Sequence, residues 1–292
     1  MRSLWITSVL LLLLGSPLWA SQEIVETIDR SFTVDGTPEV YVRNVDGRIE
    51  VTAHSGSDVE VRAIKEVRRA SSESEAKREA EKVKVRIEQV GSRIEIEAEY
   101  PKRLFSFNGP KAVVHFEIRT PRRTNLDAKS VDGQLKVTRL EGDLRLKTVD
   151  GDLQADGCSG SIVAEGVDGD LLLRELEGNV DARTVDGDLE LDGKLAVVQA
   201  KSTDGDIVIR VQPDSAMTEE WSIRTTDGSI RLQLPDGFGA DLDVKANDGD
   251  IETDHPLTLD GKLAEHQLHG KLYGGGHLLR IRTTDGSVEL VK

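Results

Sequence analysis

The sequence holds a single cysteine, Cys158, in 292 residues. No disulfide can close within one chain, so stability has to come from packing and hydrogen bonds. Aromatic side chains are equally scarce at 4%, and residues 122–210 contain no Phe, Tyr or Trp. Such a stretch offers no flat rings on which a sugar could stack. Cations are outnumbered, with 38 Lys and Arg against 53 Asp and Glu. The shortfall is uneven: residues 62–123 carry 16 basic and 10 acidic side chains, and residues 124–292 carry 18 and 34. Phosphate binding needs neutralising cations, so the acidic second half disfavours nucleic acid and anionic membranes as partners.

Long apolar runs are also missing, apart from MRSLWITSVLLLLLGSPLWA at residues 1–20. One Arg precedes an apolar core at Leu10–Leu14. Gly15, Ser16 and Pro17 then break the helix ahead of Ala20. This pattern predicts a secretory signal peptide cut after Ala20, since the core is too short to cross ~30 Å of hydrocarbon. No cysteine follows to accept a lipid. The expected location is outside the cytoplasm, in the periplasm, on the outer surface or in the medium, with no transmembrane span in the mature chain.

What is abundant is repetition. VDGDL begins at residues 149, 167 and 185, and TDGDI at 203. From residue 131 the chain divides without a gap into nine nonapeptides, beginning VDGQLKVTR, LEGDLRLKT and VDGDLQADG. Position 3 is glycine in eight of them, Ala196 being the exception, and positions 5 and 7 are apolar in all nine. Apolar residues two apart have the period of a half-buried strand, and the glycine allows a corner. Alternate units resemble each other most, so two nine-residue sides make one 18-residue coil. Position 7 also alternates in size. Val137, Leu173, Leu191 and Ile209 fall on one side, and Leu146, Ala164, Ala182 and Ala200 on the other, with Ala155 also on the first. A flat core two side chains thick needs such compensation. The reading is a mainly β, right-handed, two-sided parallel β-solenoid over residues 122–292. An antiparallel meander is the competing arrangement.

Residues 21–121 read as a small α+β cap that covers the open end. They show alternating strands over 32–64, an amphipathic helix near 72–82 and a hairpin in VKVRIEQVGSRIEIEAEY. Beyond residue 210 the corner recurs as TDGSI, NDGDI and TDGSV, and LYGGGHLLRIRTTDGSVELVK is expected to form the last rung.

Spaced D-G-x-[LIV] corners, the LPDGFGADLDVKANDGDIETD segment and the ending GGG-x-L-x-R-I-R-T-x-D-G resemble the bacterial putative adhesin family of exported β-strand-repeat proteins. That family is a domain of unknown function, similar to the head domains of auto-transporter adhesins. The resemblance covers residues 32–292 and implies an exported β-solenoid with an adhesive or surface role. It carries no catalytic residues.

Candidate chemistry is sparse. Asp150 with Asp152, and Asp186 with Asp188, are paired carboxylates, but acid–base work needs two carboxyls in different environments. Here every pair is equivalent, which places them on solvent-facing corners. A polysaccharide-active β-helix lyase or hydrolase is the alternative reading. His266, His269 and His277 beside Gly274–Gly276 would need to converge to hold a metal, and polar loop residues describe them better. Cys158, at an apolar position of its unit, reads as a buried small hydrophobe. Asp150, Asp168, Asp186 and Asp204 should form one column and Asp152, Asp170, Asp188 and Asp206 another. Turn capping, rather than a calcium row, is expected to hold them, because one glycine per unit leaves too few carbonyl ligands. No catalytic, cofactor-binding or metal residue is therefore assigned. The expected role is a non-enzymatic envelope scaffold or adhesin-like surface for an unknown envelope component.

Overall fold

Alternating apolar and polar residues become strand along almost the whole chain. The computed structural model describes residues 23–101, 111–259 and 266–292, and the predicted signal peptide lies outside them. The front section supplies β1 (Glu23–Thr33), β2 (Glu39–Asp46), β3 (Ile49–His54), β4 (Asp58–Arg68), α1 (Glu73–Glu81), β5 (Lys84–Val90), β6 (Arg93–Glu99) and β7 (Lys111–Pro121). The regular repeats supply β8 (Asn125–Asp132), β9 (Leu135–Thr138), β10 (Glu141–Lys147), β11 (Leu153–Asp156), β12 (Ser159–Glu165), β13 (Leu171–Arg183), β14 (Leu189–Lys201) and β15 (Ile207–Val211). The looser part supplies β16 (Trp221–Arg224), β17 (Ile230–Gln233), β18 (Ala240–Asp248), β19 (Ile251–Thr253), β20 (Leu257–Leu259), β21 (Gln267–Leu272), β22 (Leu278–Asp285) and β23 (Val288–Val291).

The repeats pair in parallel, like residue over like residue. On one side Leu135, Leu153, Leu171, Leu189, Ile207 and Ile230 form a continuous ladder. On the other, Leu126, Leu144, Ile162, Val180 and Val198 do the same. Parallel pairing excludes the meander over these residues. β13 and β14 each run around a corner, so their first halves belong to one side and their second halves to the other. The position-7 residues Ala155, Leu173, Ala164 and Ala182 are all fully buried, as the size alternation required.

In three successive rungs the corner after the second side is built on a left-handed residue, at Arg139, Gly157 and Glu175. Leu140, Cys158 and Leu176 follow these and are each buried to 1% exposure, so the thiol occupies a column that Leu fills in other rungs. Ala196, where glycine was expected, coincides with a shift of register between Gly178–Leu195 and Asn179–Val197. Its carbonyl accepts from the indole of fully buried Trp221 at 3.0 Å and from the Thr218 amide at 3.0 Å.

Both ends place rungs out of sequence order. β2 and β3 pair with β8 and β9 on one flank and with β6 and β7 on the other, so a rung from before residue 122 lies inside the stack. At the far end, β22 and β23 lie between β16–β17 and β18–β19. The chain's final segment is therefore not the last rung, contrary to the sequence reading. Leu279, Ile281, Val288 and Leu290 are fully buried on both flanks, whereas Ile251 in β19 is partly exposed. The rung with the better apolar faces takes the interior place.

Antiparallel strands close the stack. β4 pairs with β7 and β1 with β4, while β5 makes the expected hairpin with β6. Helix α1 begins at Ser72, whose hydroxyl accepts from the Glu75 amide, and the Ser71 amide donates to the Glu75 carboxylate at 2.7 Å. Ala76, Ala80 and Val83 seal its inner face. At the other end, β21 folds back antiparallel on β18, and β20 pairs antiparallel with β21. The strands β19 and β20 have three residues each, a short edge that gives another chain little to pair with.

Leu171 is completely buried, while its neighbour Leu172 points outward and is half-buried. Leu171→Ala should lose about 2–5 kcal/mol of unfolding free energy, as cavity-forming core truncations do. Leu172→Ala should lose far less. Denaturant titration of the two variants measures the difference, and equal losses would refute the inward register.

Candidate functional site

The most repetitive surface is the D-G corner, where the chain passes from one side to the other. Gly187 sits there with φ +133°, and a Cβ on it would lie 2.4 Å from the Gly169 carbonyl oxygen of the rung below. No side chain fits at that distance, so glycine is dictated twice, by dihedral and by contact. Just before some corners, an inward hydroxyl or amide ties the turn. Thr225 Oγ1 donates to Gly205 O at 3.0 Å, Thr283 Oγ1 to Gly228 O at 2.9 Å, and Asn44 Nδ2 to Gly47 O at 3.1 Å. Ser130, Thr148 and Thr184 at the same place bury hydroxyls with no hydrogen-bond partner among the described residues.

The two Asp columns exist, and they behave differently. The first bridges Asp132, Asp150, Asp168, Asp186, Asp204, Asp227 and Asp285 in parallel, with Asp46 beyond Asp132 and Asp248 beyond Asp285. Their main chains are tied, as where the Asp186 amide donates to Val167 O and the Gly187 amide to Asp204 O. Among the described residues, the side chains of Asp150, Asp168, Asp186 and Asp204 are exposed and have no hydrogen-bond or ion-pair partner. Neighbouring charges ~4.8 Å apart repel by ~1 kcal/mol even in water. The second column is capped. Asp152 Oδ1 accepts from the Asp170 amide at 3.2 Å, Asp170 from Asp188 at 2.9 Å, Asp188 from Asp206 at 2.8 Å, and Asp206 from the Ser229 amide at 2.7 Å. The donor lies in the next rung rather than in the same turn, so each carboxylate couples one coil to its neighbour.

A third column was missed in the sequence. Arg43, Lys129, Lys147, Glu165, Arg183, Lys201, Arg224, Arg282 and Lys245 stand in register on the side just before the corner. Eight of the nine are cations. The nonapeptide frame split them from the Asp they precede. Read across the frame they recur as RNVDG, KSVDG, KTVDG, EGVDG, RTVDG, KSTDG, RTTDG, KANDG and RTTDG. Lys147 pairs with Glu165 at 2.9 Å and Arg183 with Asp181 at 2.6 Å, and Arg282 contacts Asp243. Burial pushes the Asp243 carboxyl up, but Arg282, His269 and Arg280 outweigh it and hold the carboxyl below its usual range. Arg43, Lys201, Arg224 and Lys245 have no anionic partner among the described residues.

The remaining candidates are scattered. His266 Nδ1 lies 3.2 Å from Gly249 O, and His269 Nδ1 lies 3.2 Å from Asp243. Among the described residues no three His, Cys, Asp or Glu side chains gather as a metal would require. Burial pushes the Cys158 thiol above its ordinary range, which suits packing and not nucleophilic attack. A groove of about 500 Å³ lies over β1, β4 and β7, lined by Asp29, Arg62, Glu60 and Arg119 among others. Its acids are engaged, Asp29 by Arg62 at 2.8 Å and Glu60 by Arg119 at 2.9 Å. On the opposite side from the cation column, Glu190 bridges Arg210 and Arg174 across three rungs, and the Arg210 hydrogen bond leads in holding its carboxyl below the usual range.

The capping ladder sets a clear expectation for Asp188. Asp188→Ala removes the acceptor of the Asp206 amide and should cost about 1 kcal/mol. Asp188→Asn keeps an acceptor and relieves repulsion along the column, so its melting temperature should stay near that of the parent. A thermal melt in which Asn is as damaging as Ala would mean that charge, not the hydrogen bond, holds the corner.

No curated protein matches the chain. Several solved structures do, over 91% of its length. A putative lipid binding protein from Parabacteroides distasonis is 12% identical, with 97% of that chain covered and a TM-score of 0.48. A putative adhesin from Bacteroides fragilis is 10% identical, with 97% covered and a TM-score of 0.40. A putative cell adhesion protein from Clostridium sporogenes is 11% identical, with 99% covered and a TM-score of 0.29. A family model matches residues 38–291, nearly the whole of the parallel stack and its two closures, and by that match the chain belongs to the Toastrack DUF4097 family.

Proposed function

We propose that this chain is an exported, non-enzymatic β-solenoid that serves as an adhesin-like scaffold or binding surface in the cell envelope. The observation that carries this reading is the uniformity of the surface. The first Asp column runs through every regular rung and the cation column through all but one, and the paired Asp residues lie on exposed corners instead of facing one another across a cleft. An enzyme needs one place that differs from the others. The descriptions of the similar structures, adhesin, cell adhesion and lipid binding, agree with a binding role. Export rests on the apolar run of residues 1–20, and within the described residues no helix is long and apolar enough to cross a membrane. In this reading residues 21–121 form the cap and residues 122–292 the working solenoid, right-handed and with two sides to each coil of about 18 residues. The capped Asp column satisfies its own rungs, so folding needs no calcium.

Two measurements test this. Purified protein mixed with isolated envelopes should co-sediment with them, and incubation with envelope polysaccharides should release no new reducing ends or unsaturated sugars. Release of fragments would establish the polysaccharide-active alternative. The coil length is tested by deletion. Removing 149–166 should leave every surviving residue in its column, whereas removing 149–157 puts each side over the other. The first deletion should melt well above the second, and similar melting temperatures would argue against a two-sided coil.

A further inference from the structure

The D-G edge carries three parallel columns that the chain itself satisfies only in part. Lys129, Lys147, Arg183 and Arg282 have anionic neighbours and Lys111 reaches Asp46 and Asp132, while the other charges of the columns have none among the described residues. Going around the corner, the order is cation, apolar residue, Asp in Lys129–Val131–Asp132, Lys147–Val149–Asp150 and Arg183–Val185–Asp186. Threonine takes the middle place in Lys201–Thr203–Asp204 and Arg224–Thr226–Asp227, and Glu165 takes the cation's place beside Val167 and Asp168. The middle column holds Val45, Val131, Val149, Val167 and Val185, exposed by 38% to 49%. These are five of the eight exposed large apolar side chains among the described residues. A strand corner gains nothing from valine in water, and threonine occupies the same position farther along. The column therefore forms a greasy ridge between a row of cations, several without anions, and a row of carboxylates of which Asp150, Asp168, Asp186 and Asp204 are unpaired.

We propose that this edge is a self-association surface, and that its occupant is the same edge of a second copy, with the two solenoid axes parallel. The charge order decides both points. A two-fold axis running along the solenoid reflects the columns across the valine ridge. Each cation column then falls on the partner's Asp column, and valine meets valine on the axis. A two-fold axis perpendicular to the solenoid would instead lay cations on cations and Asp on Asp, which repel. A flexible polyanion would use the cation column and be repelled by the acids two positions away; a basic peptide would do the reverse. A second copy uses all three columns at once.

The match extends over most of the stack. Eight exposed Asp residues, from Asp132 through Asp285 to Asp248, would each meet a basic residue of the other copy in all but one rung. The exception is Glu165, which is already paired with Lys147. At ~4.8 Å per rung the edge is about 34 Å from first Asp to last. With a width of ~15 Å the two copies together would bury about 1,000–1,200 Å², the low end of specific interfaces. The expected state is a reversible dimer whose strength falls as added salt shortens the Debye length from ~10 Å at 0.1 M. This proposal is tested independently of the envelope reading above, because its readout is the isolated protein.

Sedimentation velocity at low salt and tens of micromolar protein should show a dimer. The double variant Lys201→Asp with Arg224→Asp should be monomeric, because acids then face acids. Asp204→Lys with Asp227→Lys should be monomeric for the opposite reason. Mixing the two should restore a dimer of one each, since every altered residue then meets its complement. A wild-type chain that stays monomeric, variants that dimerise unchanged, or a mixture that stays monomeric would each overturn the proposal. Far-ultraviolet circular dichroism melts confirm that the variants fold. A second test leaves the charges untouched: Val149→Cys, Val167→Cys and Val185→Cys, made singly, should each form a disulfide-linked dimer under mild oxidation. Buried Cys158 does not compete. Cross-linking at only one of the three positions would indicate antiparallel axes and overturn the arrangement.

Discussion

The carbonyl oxygen of one corner glycine lies where the next rung's glycine would have to carry a Cβ. That contact, 2.4 Å at Gly187 and 2.3 Å at Gly205, is a backbone-on-backbone constraint that no rotamer change can relieve. It fixes each rung directly above the last. Hydrogen bonds along the parallel ladder would permit slippage by two residues without turning a side chain to the wrong face. The corner does not permit it, because slippage would bring a side-chain-bearing residue into the glycine's place. Register in this protein is set at the edge and merely propagated by the sides.

Strict register makes like stand on like, and the consequences depend on chemistry. Stacked leucines and valines gain from it, since each buried column excludes water along its length. Stacked carboxylates lose by it unless each finds a donor. The second Asp column solves this by receiving the next rung's amide, so repetition itself supplies the partner. The first Asp column and the cation column are answered only in places, as by Lys147 with Glu165, and their other members stay at the surface, where water screens them. Glu190 shows the other solution. Breaking the repeat, with acid in one rung and Arg174 and Arg210 on its flanks, converts a column of like charge into bridges.

How much of this was legible follows from the same logic. The inward positions 5 and 7, the corner glycine, the helix at Glu73–Glu81 and the β5–β6 hairpin were readable because each is a local pattern with a fixed period or cap. The exchange of rungs at both ends was not. When every rung offers the same columns, the sequence holds no mark of which rung neighbours which, and β22–β23 can enter between β17 and β18 as easily as follow β19. Ala196 was visible as an exception, but its explanation, the indole of Trp221 from 25 residues away, depends on a loop of irregular length. The cation column lay in plain view and was lost to the choice of frame. Its residue ends one nonapeptide's polar face while its Asp opens the next.

Those exchanged rungs answer a difficulty that strict repetition creates. A stack of identical rungs has no natural end, since its last strand presents the same unpaired edge as every strand before it. Here β22–β23 is placed between two rungs, with hydrogen bonds on both flanks, and the exposed place goes to β18–β19. That rung is linked covalently in both directions, is covered on one side by antiparallel β21, and on the other has an edge of three residues. The front does likewise, with β2–β3 enclosed and β6–β7 outermost beneath β5, β4 and α1. β4, β5 and β21 each run antiparallel to the rung they cover, so the parallel stacking of like residue on like ends where they begin, at both ends and by the same means.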